Sequence, residues 1–224
     1  MCGRYGLVDP TLVEQRFGVS LAEISGVTMS SRYNVSPGQQ VLTVLERNGA
    51  RAAESFRWGL PSPAKGSKGD VINARNDRLA KSPFWRQFTA DGRCLIPASG
   101  FFEWRAPDTA GERKTPFWFS IADQLPFAFA GLTGSWRDRD GESRSGCVIV
   151  TTEANDLVAS VHARMPVILA AADESKWLNG SVEEALALTN PYRSVAMTAI
   201  AVGPAVGNPR NDDSSLIQPA GTED

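Results

Sequence analysis

Runs at residues 93–98, 100–105, 116–121, 127–136 and 146–152 are short, apolar and rich in aromatic or β-branched side chains, with turn-forming residues between them. A chain punctuated this often cannot bury its apolar residues in long helices, so it must build sheet. Upstream, residues 41–47 and 51–58 flank Asn48-Gly49, a dipeptide suited to the two positive-φ positions of a tight hairpin. Residues 2–8 read as a first strand and 194–202 as a last one. Asp9 and Pro10 open a short helix that Gly18 closes. Residues 155–161, 173–178 and 182–188 also read as helical, and 60–70 as a loop of Pro, Ser, Gly and Lys. The expectation is one α+β domain over residues 1–224, core about 2–219, with an antiparallel, barrel-like sheet and flanking short helices. A polar, acidic tail follows Asn208 and is expected to be ordered only where Leu216-Ile217 docks.

Hydrophobic residues make up 42% and charged residues 21% of 224, which excludes a disordered chain, collagen or a coiled coil. The longest apolar stretch, 195–206, is interrupted by Thr198, Gly203 and Pro204 and is too short to span a membrane. The first residues lack the basic and apolar regions of a secretory signal, so a cytoplasmic protein is expected. Three cysteines without a Cys-x-x-Cys pair argue against a disulfide framework or structural zinc. There is one histidine, His162, so any histidine chemistry must use it and a multi-histidine metal site is excluded. Net charge is −2, yet residues 51–118 carry twelve Lys/Arg against seven Asp/Glu, leaving the rest at −7. Such a patch suits one short anionic stretch better than a long duplex track; an ordinary solvated face would give the same count.

Cys2 is the most informative position. Removal of Met1 would leave a thiol and an α-amine on adjacent carbons, and that amine has an unperturbed pKa of about 7.7–8.0. An aldehyde meeting the pair can form an imine with nitrogen and then be captured by sulfur as a five-membered thiazolidine. The bland alternative is a small buried strand residue. Gly3 permits close approach, and Arg4 beside the thiol is expected to lower its pKa. Asn73 offers a donor and an acceptor, and Arg75 a planar fork suited to phosphate. Glu103, in Gly100-Phe101-Phe102-Glu103-Trp104, alternates onto one face with Phe101 and Arg105. It either meets solvent or lines a pocket, where desolvation would raise its pKa toward acid/base duty. His162 sits in a loop between a helix and an apolar strand, with Arg164 beside it. Trp58 offers a stacking face or a core residue.

Met1-Cys2-Gly3-Arg4-Tyr5, Arg32-Tyr33-Asn34-Val35-Ser36-Pro37, Arg57-Trp58-Gly59-Leu60, Ile72-Asn73-Ala74-Arg75, Gly100-Phe101-Phe102-Glu103-Trp104, Val161-His162-Ala163-Arg164-Met165-Pro166 and Val206-Gly207-Asn208-Pro209-Arg210-Asn211 occur in that order. Together they resemble the SOS-response-associated peptidase family of abasic-site processing proteins, from Cys2 to about Pro219. The resemblance implies a single α+β domain, a basic cleft for single-stranded DNA and covalent capture of abasic sites by Cys2. It implies that Asn73 positions the abasic sugar, Glu103 is the general acid/base of imine formation and His162 assists opening of the deoxyribose ring. It places Arg4 and Arg75 on flanking phosphates, with Asn34, Trp58 and Arg164 among the DNA contacts. The family usually carries tryptophan in the loop after Trp-Gly-Leu; here residues 61–66 have no aromatic, and Lys65 and Lys68 are expected to supply phosphate contacts instead.

No metal or cofactor is called for by this chemistry. The expected partner is single-stranded DNA with abasic sites, met by a cytoplasmic monomer that joins the nucleoid when bound. Two other readings stay open: a cysteine-type peptidase pairing Cys2 with His162, able to remove Met1 itself, and a DNA-binding module without covalent chemistry.

Overall fold

The computed structural model describes residues 2–22, 24, 30–62, 69–107, 109, 111–122, 126–137 and 140–221. In chain order the strands are β1 (Tyr5–Leu7), β2 (Arg32–Val35), β3 (Gln40–Arg47), β4 (Ala50–Trp58), β5 (Leu60–Pro61), β6 (Asp70–Val71), β7 (Asn73–Arg75), β8 (Arg93–Ala98), β9 (Gly100–Arg105), β10 (Thr115–Ile121), β11 (Phe127–Arg137), β12 (Ser143–Glu153), β13 (Arg164–Pro166), β14 (Ile168–Leu169) and β15 (Met197–Ala201). Among the described residues six short helices accompany them: α1 (Leu12–Phe17), α2 (Asn76–Leu79), α3 (Pro83–Asp91), α4 (Asp156–Ala159), α5 (Glu174–Asn179) and α6 (Val182–Ala187). None among the described residues is long and apolar enough to cross a membrane.

Strands β12, β4, β3, β8 and β11 pair in turn, and β11 pairs back onto β12, closing a five-stranded barrel. Closure leaves those strands no free edge around the ring. The barrel is antiparallel except at β12–β4, where Gly146 lies beside Arg57 and Cys147 beside Trp58. Where β4 ends, β7 takes its place along β12, also parallel, from Ile149↔Asn73 to Thr151↔Arg75. The opposite side of that stretch pairs with β13, from Thr151↔Pro166 to Glu153↔Arg164. A second, antiparallel sheet has the order β15-β10-β9-β1-β2.

Alternation along the barrel strands sorts side chains into two packed layers. Val41, Leu45, Ile96, Phe129 and Ile149 share a cluster with Tyr5, Phe101 and Phe119 of the second sheet. Leu42, Val44, Leu95, Ala130 and Val148 share another with Val13, Phe17, Trp85, Trp177 and Ala185 of the helices. Gly100 lets the second sheet close up, because a Cβ there would overlap the Trp118 ring and the Phe119 carbonyl.

The hairpin at Asn48-Gly49 forms with φ of 52° and 81°, the positive pair its tight turn requires. Gly18 closes α1 at φ 67°. That helix starts two residues later than expected, because Asp9 Oδ1 caps a preceding turn by accepting from the Thr11 N–H (3.1 Å) and hydroxyl (2.5 Å). The first strand is shorter than residues 2–8, since ladder pairing starts at Tyr5. A 3₁₀ turn, Ser194–Ala196, occupies the start of the expected last strand. Helices α2 and α3 were not expected. The tail is tied down well beyond Leu216-Ile217: Arg32 pairs with Asp212 at 2.6 Å, and Val202 bridges to Pro219.

Candidate functional site

Cys2 precedes the first ladder pair, and two hydrogen bonds fix its segment. The Phe102 N–H of β9 donates to the Arg4 carbonyl at 2.9 Å, and Asn73 Nδ2 donates to the Cys2 carbonyl at 2.9 Å. The cysteine is fully buried among Tyr5, Trp58 and Phe101. Burial pushes its thiol far above the ordinary range, and the Glu103 charge pushes the same way. Arg4 lowers the thiol only through its backbone, so the expected effect of its charge does not set this pKa. The Arg4 guanidinium turns away to Asn34 Oδ1 (2.9 Å) and to the carbonyls of Val206 (2.7 Å) and Gly207 (3.3 Å).

Glu103 is 3% exposed, so the solvent-facing alternative from strand alternation fails. Alternation holds, but both faces of β9 are covered. Phe101, on the face of Glu103, stacks on Phe119 against the barrel. Phe102 and Trp104 lie on the other face beneath Val206 and Leu216 of the tail. Burial raises the Glu103 carboxyl above its ordinary value, while neighbouring positive charge, His162 included, opposes the rise. His162 Nδ1 lies 4.0 Å from Glu103 Oε1. The ring is set by α4, whose Val158 carbonyl accepts the His162 N–H (2.9 Å), and by the Arg164 N–H, which donates to Nδ1 at 3.0 Å. Nδ1 also lies 3.0 Å from the Arg164 carbonyl, and the tautomer of the neutral ring decides which of the two groups it pairs with. The side chain is 31% exposed, so the imidazole spans from the buried carboxyl to solvent.

Asn73 is carried by β7, whose parallel register on β12 places it beside Ile149. Its Oδ1 is buried and finds no donor among the described residues. An acceptor left so costs about 1–3 kcal/mol, which a ligand donor can recover.

Arg75 and Arg164 flank the end of β12. Arg75 is exposed and forms a bidentate pair with Asp77, both contacts 2.9 Å, and this partner raises its pKa. Arg164 donates to the Thr151 carbonyl (2.5 Å) and to Asn76 Oδ1 (3.2 Å). Burial first, and then the charge of Arg75, lower its pKa. Two expected DNA contacts are corrected. Trp58 is 1% exposed, packs edge-on against Tyr5 and donates Nε1–H to the Ile72 carbonyl at 2.9 Å, so it is a core residue. Asn34 is fully buried and donates from Nδ2 to the carbonyls of Val206, Asn208 and Asn211. Lys65, Lys68 and the tryptophan-less part of their loop lie outside the described residues.

The structure thus brings Cys2, Asn73, Glu103 and His162 together; Arg75, paired with Asp77, and Arg164 follow two residues after Asn73 and His162. Sequence reasoning missed Asn76, Thr151 and Asp212. Asn76 follows directly on the Asn73-Ala74-Arg75 run and Asp212 on the Asn208–Asn211 motif, while Thr151 sits mid-strand and carries no local signal. Among the described residues no three His, Cys, Asp or Glu side chains gather as a metal site.

Comparison with known proteins identifies the family. The family profile described as SOS response associated peptidase (SRAP) matches residues 1–209. The chain is 35% identical over 226 residues to the abasic site processing protein YoqW of Bacillus subtilis (strain 168), covering 97% of this chain and 99% of that one. It is 31% identical over 192 residues to the abasic site processing protein YedK of Escherichia coli (strain K12), covering 84% of each. A crystal structure of a protein from Bacteroides thetaiotaomicron superposes with a TM-score of 0.84 at 26% identity, covering 98% of this chain and all of that one. A profile over residues 1–209, and a relative 35% identical over 97% of this chain, place the protein in the SOS response associated peptidase family.

Proposed function

We propose that this protein processes abasic sites in single-stranded DNA, capturing the ring-opened sugar covalently through Cys2 after removal of Met1. The observation that carries the reading is the meeting of Cys2 with a buried Glu103 whose carboxyl is raised above its ordinary value, with His162 4.0 Å from that carboxyl and Asn73 on the Cys2 carbonyl. An abasic sugar has no base edge to read; what distinguishes it is a masked aldehyde. His162, reaching solvent, assists ring opening to expose that aldehyde. The Cys2 amine attacks the carbonyl carbon, and Glu103 protonates the departing hydroxyl so that one water leaves and an imine forms. The thiol then adds across the C=N bond: sulfur bonds to carbon, the thiol proton passes to nitrogen and the five-membered ring closes. The order follows from the pKa direction. A thiol held protonated by burial is a poor first nucleophile, which speaks against a thiolate peptidase, whereas the amine needs no thiolate. Arg75 and Arg164 provide salt-dependent phosphate contacts, and a single strand spares the cost of unpairing.

Denaturing electrophoresis after incubation with abasic and intact oligonucleotides tests the reading. A heat-stable adduct is expected with the abasic strand only. It should be absent from Cys2→Ser and from a chain whose N-terminus is extended by one residue, which turns the amine into an amide. Equal binding of both strands without an adduct would identify a non-covalent module. An adduct persisting on the extended chain would sink the imine route.

A further inference from the structure

The motifs around Asn34 and Asn208–Asn211 are left over by this chemistry, and the structure joins them. Between Tyr5↔Val35 and Leu7↔Arg32 the β1–β2 register slips, putting one extra residue on β2 at Tyr33 and Asn34. Such a bulge turns backbone N–H groups out of the ladder, where they need another acceptor. Asp212 supplies it: Oδ1 accepts from the Tyr33 N–H (2.5 Å) and the Asn34 N–H (2.9 Å), and Oδ2 from Arg32 Nε (2.6 Å). The bulge aims the Asn34 amide at the tail, where Nδ2 meets three carbonyls between Val206 and Asn211 and Oδ1 accepts from Arg4 Nη1. Arg4 completes the ring on the Val206 and Gly207 carbonyls. The ring is fastened to the residue whose carbonyl is pinned to β9 beside Glu103, two positions after Cys2.

We infer that Asp212 is a positioning residue: through the Asn34 bulge and Arg4 it fastens the N-terminal segment so that Cys2 meets Glu103 and Asn73 in reacting geometry. This rests on the capture chemistry proposed above. It gives Arg4 a different duty from a phosphate contact, since its Nη1 is held by Asn34 and Val206. A misplacement of about 1 Å at a reacting group can cost about 10²-fold in rate, so a distant carboxylate can matter this much.

The test compares Asp212→Ala and Asp212→Asn with the unmodified chain by two readouts. The first is the single-turnover capture rate across a series of abasic-strand concentrations. For Asp212→Ala the maximal rate should fall by about 10- to 10²-fold with the half-saturating concentration unchanged, and Asp212→Asn, which keeps an acceptor oxygen, should fall between. The second is mass-spectrometric iodoacetamide labelling of each cysteine. Cys2 should label faster in Asp212→Ala, while Cys94 and Cys147, buried in the barrel, keep their rates. Unchanged capture and labelling would overturn the inference. So would joint labelling of all three cysteines, which marks general loosening, or a shift confined to half-saturation, which marks a phosphate contact. If the unmodified chain forms no adduct, the abasic-site reading falls and Cys2 labelling alone decides the positioning role.

Discussion

Two buried glutamates, one in the second sheet and one in the helical layer, are treated differently by the fold. Glu174, 1% exposed at the start of α5, is gripped by Arg16 from α1 at 2.5 and 3.2 Å and by Arg51 from β4 at 3.1 Å. Those pairs lock the helical layer onto the barrel. Glu103, 3% exposed on β9, faces an imidazole at 4.0 Å and a cysteine thiol whose pKa it helps to raise. A buried carboxylate must be compensated by charge or retain its proton. Glu174 follows the first course, with two guanidinium groups. At Glu103 burial raises the carboxyl above its ordinary value against the positive charge beside it, which moves it toward the duty of a general acid. The difference separates a residue that holds the fold from one available for chemistry.

That contrast can be broken at either end. Glu103→Gln should slow covalent capture by about 10²–10⁴-fold, the usual contribution of a positioned acid or base, with His162→Ala in the same range or below it. Both variants should keep a cooperative thermal transition; its loss would mean that Glu103 holds the fold as Glu174 does. Removing both arginines, Arg16→Ala with Arg51→Ala, should instead cost about 3–5 kcal/mol in urea unfolding, because Glu174 is then an uncompensated buried charge. Capture per folded molecule should be unaffected. Slower chemistry in that double variant would join the two regions and blur the distinction.

The sheet was legible because its signals are local. Asn48-Gly49 sets its own hairpin, and the limits of β8 and β9 fall at the residues where apolar runs meet turn chemistry. The convergence of Cys2, Asn73, Glu103 and His162 was legible only through resemblance, since no spacing in one sequence shows that β7 replaces β4 along β12. Burial misled where a second layer was invisible. Alternation allowed Glu103 a solvent face that the barrel covers, while of the two readings open for Trp58 the core one holds, edge-on against Tyr5. Asn34 reads as an ordinary polar residue until the tail arrives from more than 170 residues away. Tertiary covering of this kind leaves no periodic trace.

The smallest effect gives the sharpest comparison, because the two glutamates should respond with opposite signs. Glu103 holds its proton more tightly folded than unfolded, its carboxyl being raised above an ordinary value of 4.5. Below that value both states are protonated, and glutamate and glutamine differ little. As pH climbs toward the raised folded value, the native state binds more protons than the unfolded state, so stability falls with pH. Above it the folded chain carries the cost of a buried carboxylate, reduced by the positive charge beside it, which glutamine never meets. The melting temperature of Glu103→Gln should therefore match the unmodified protein near pH 4 and exceed it progressively toward pH 8. Glu174→Gln should melt below the unmodified protein at neutral pH, since it takes a carboxylate from two arginines arranged around it. A Glu103→Gln variant less stable at pH 8 would mean that the charge around this carboxylate outweighs its burial, and the assignment of Glu103 as the general acid would fall.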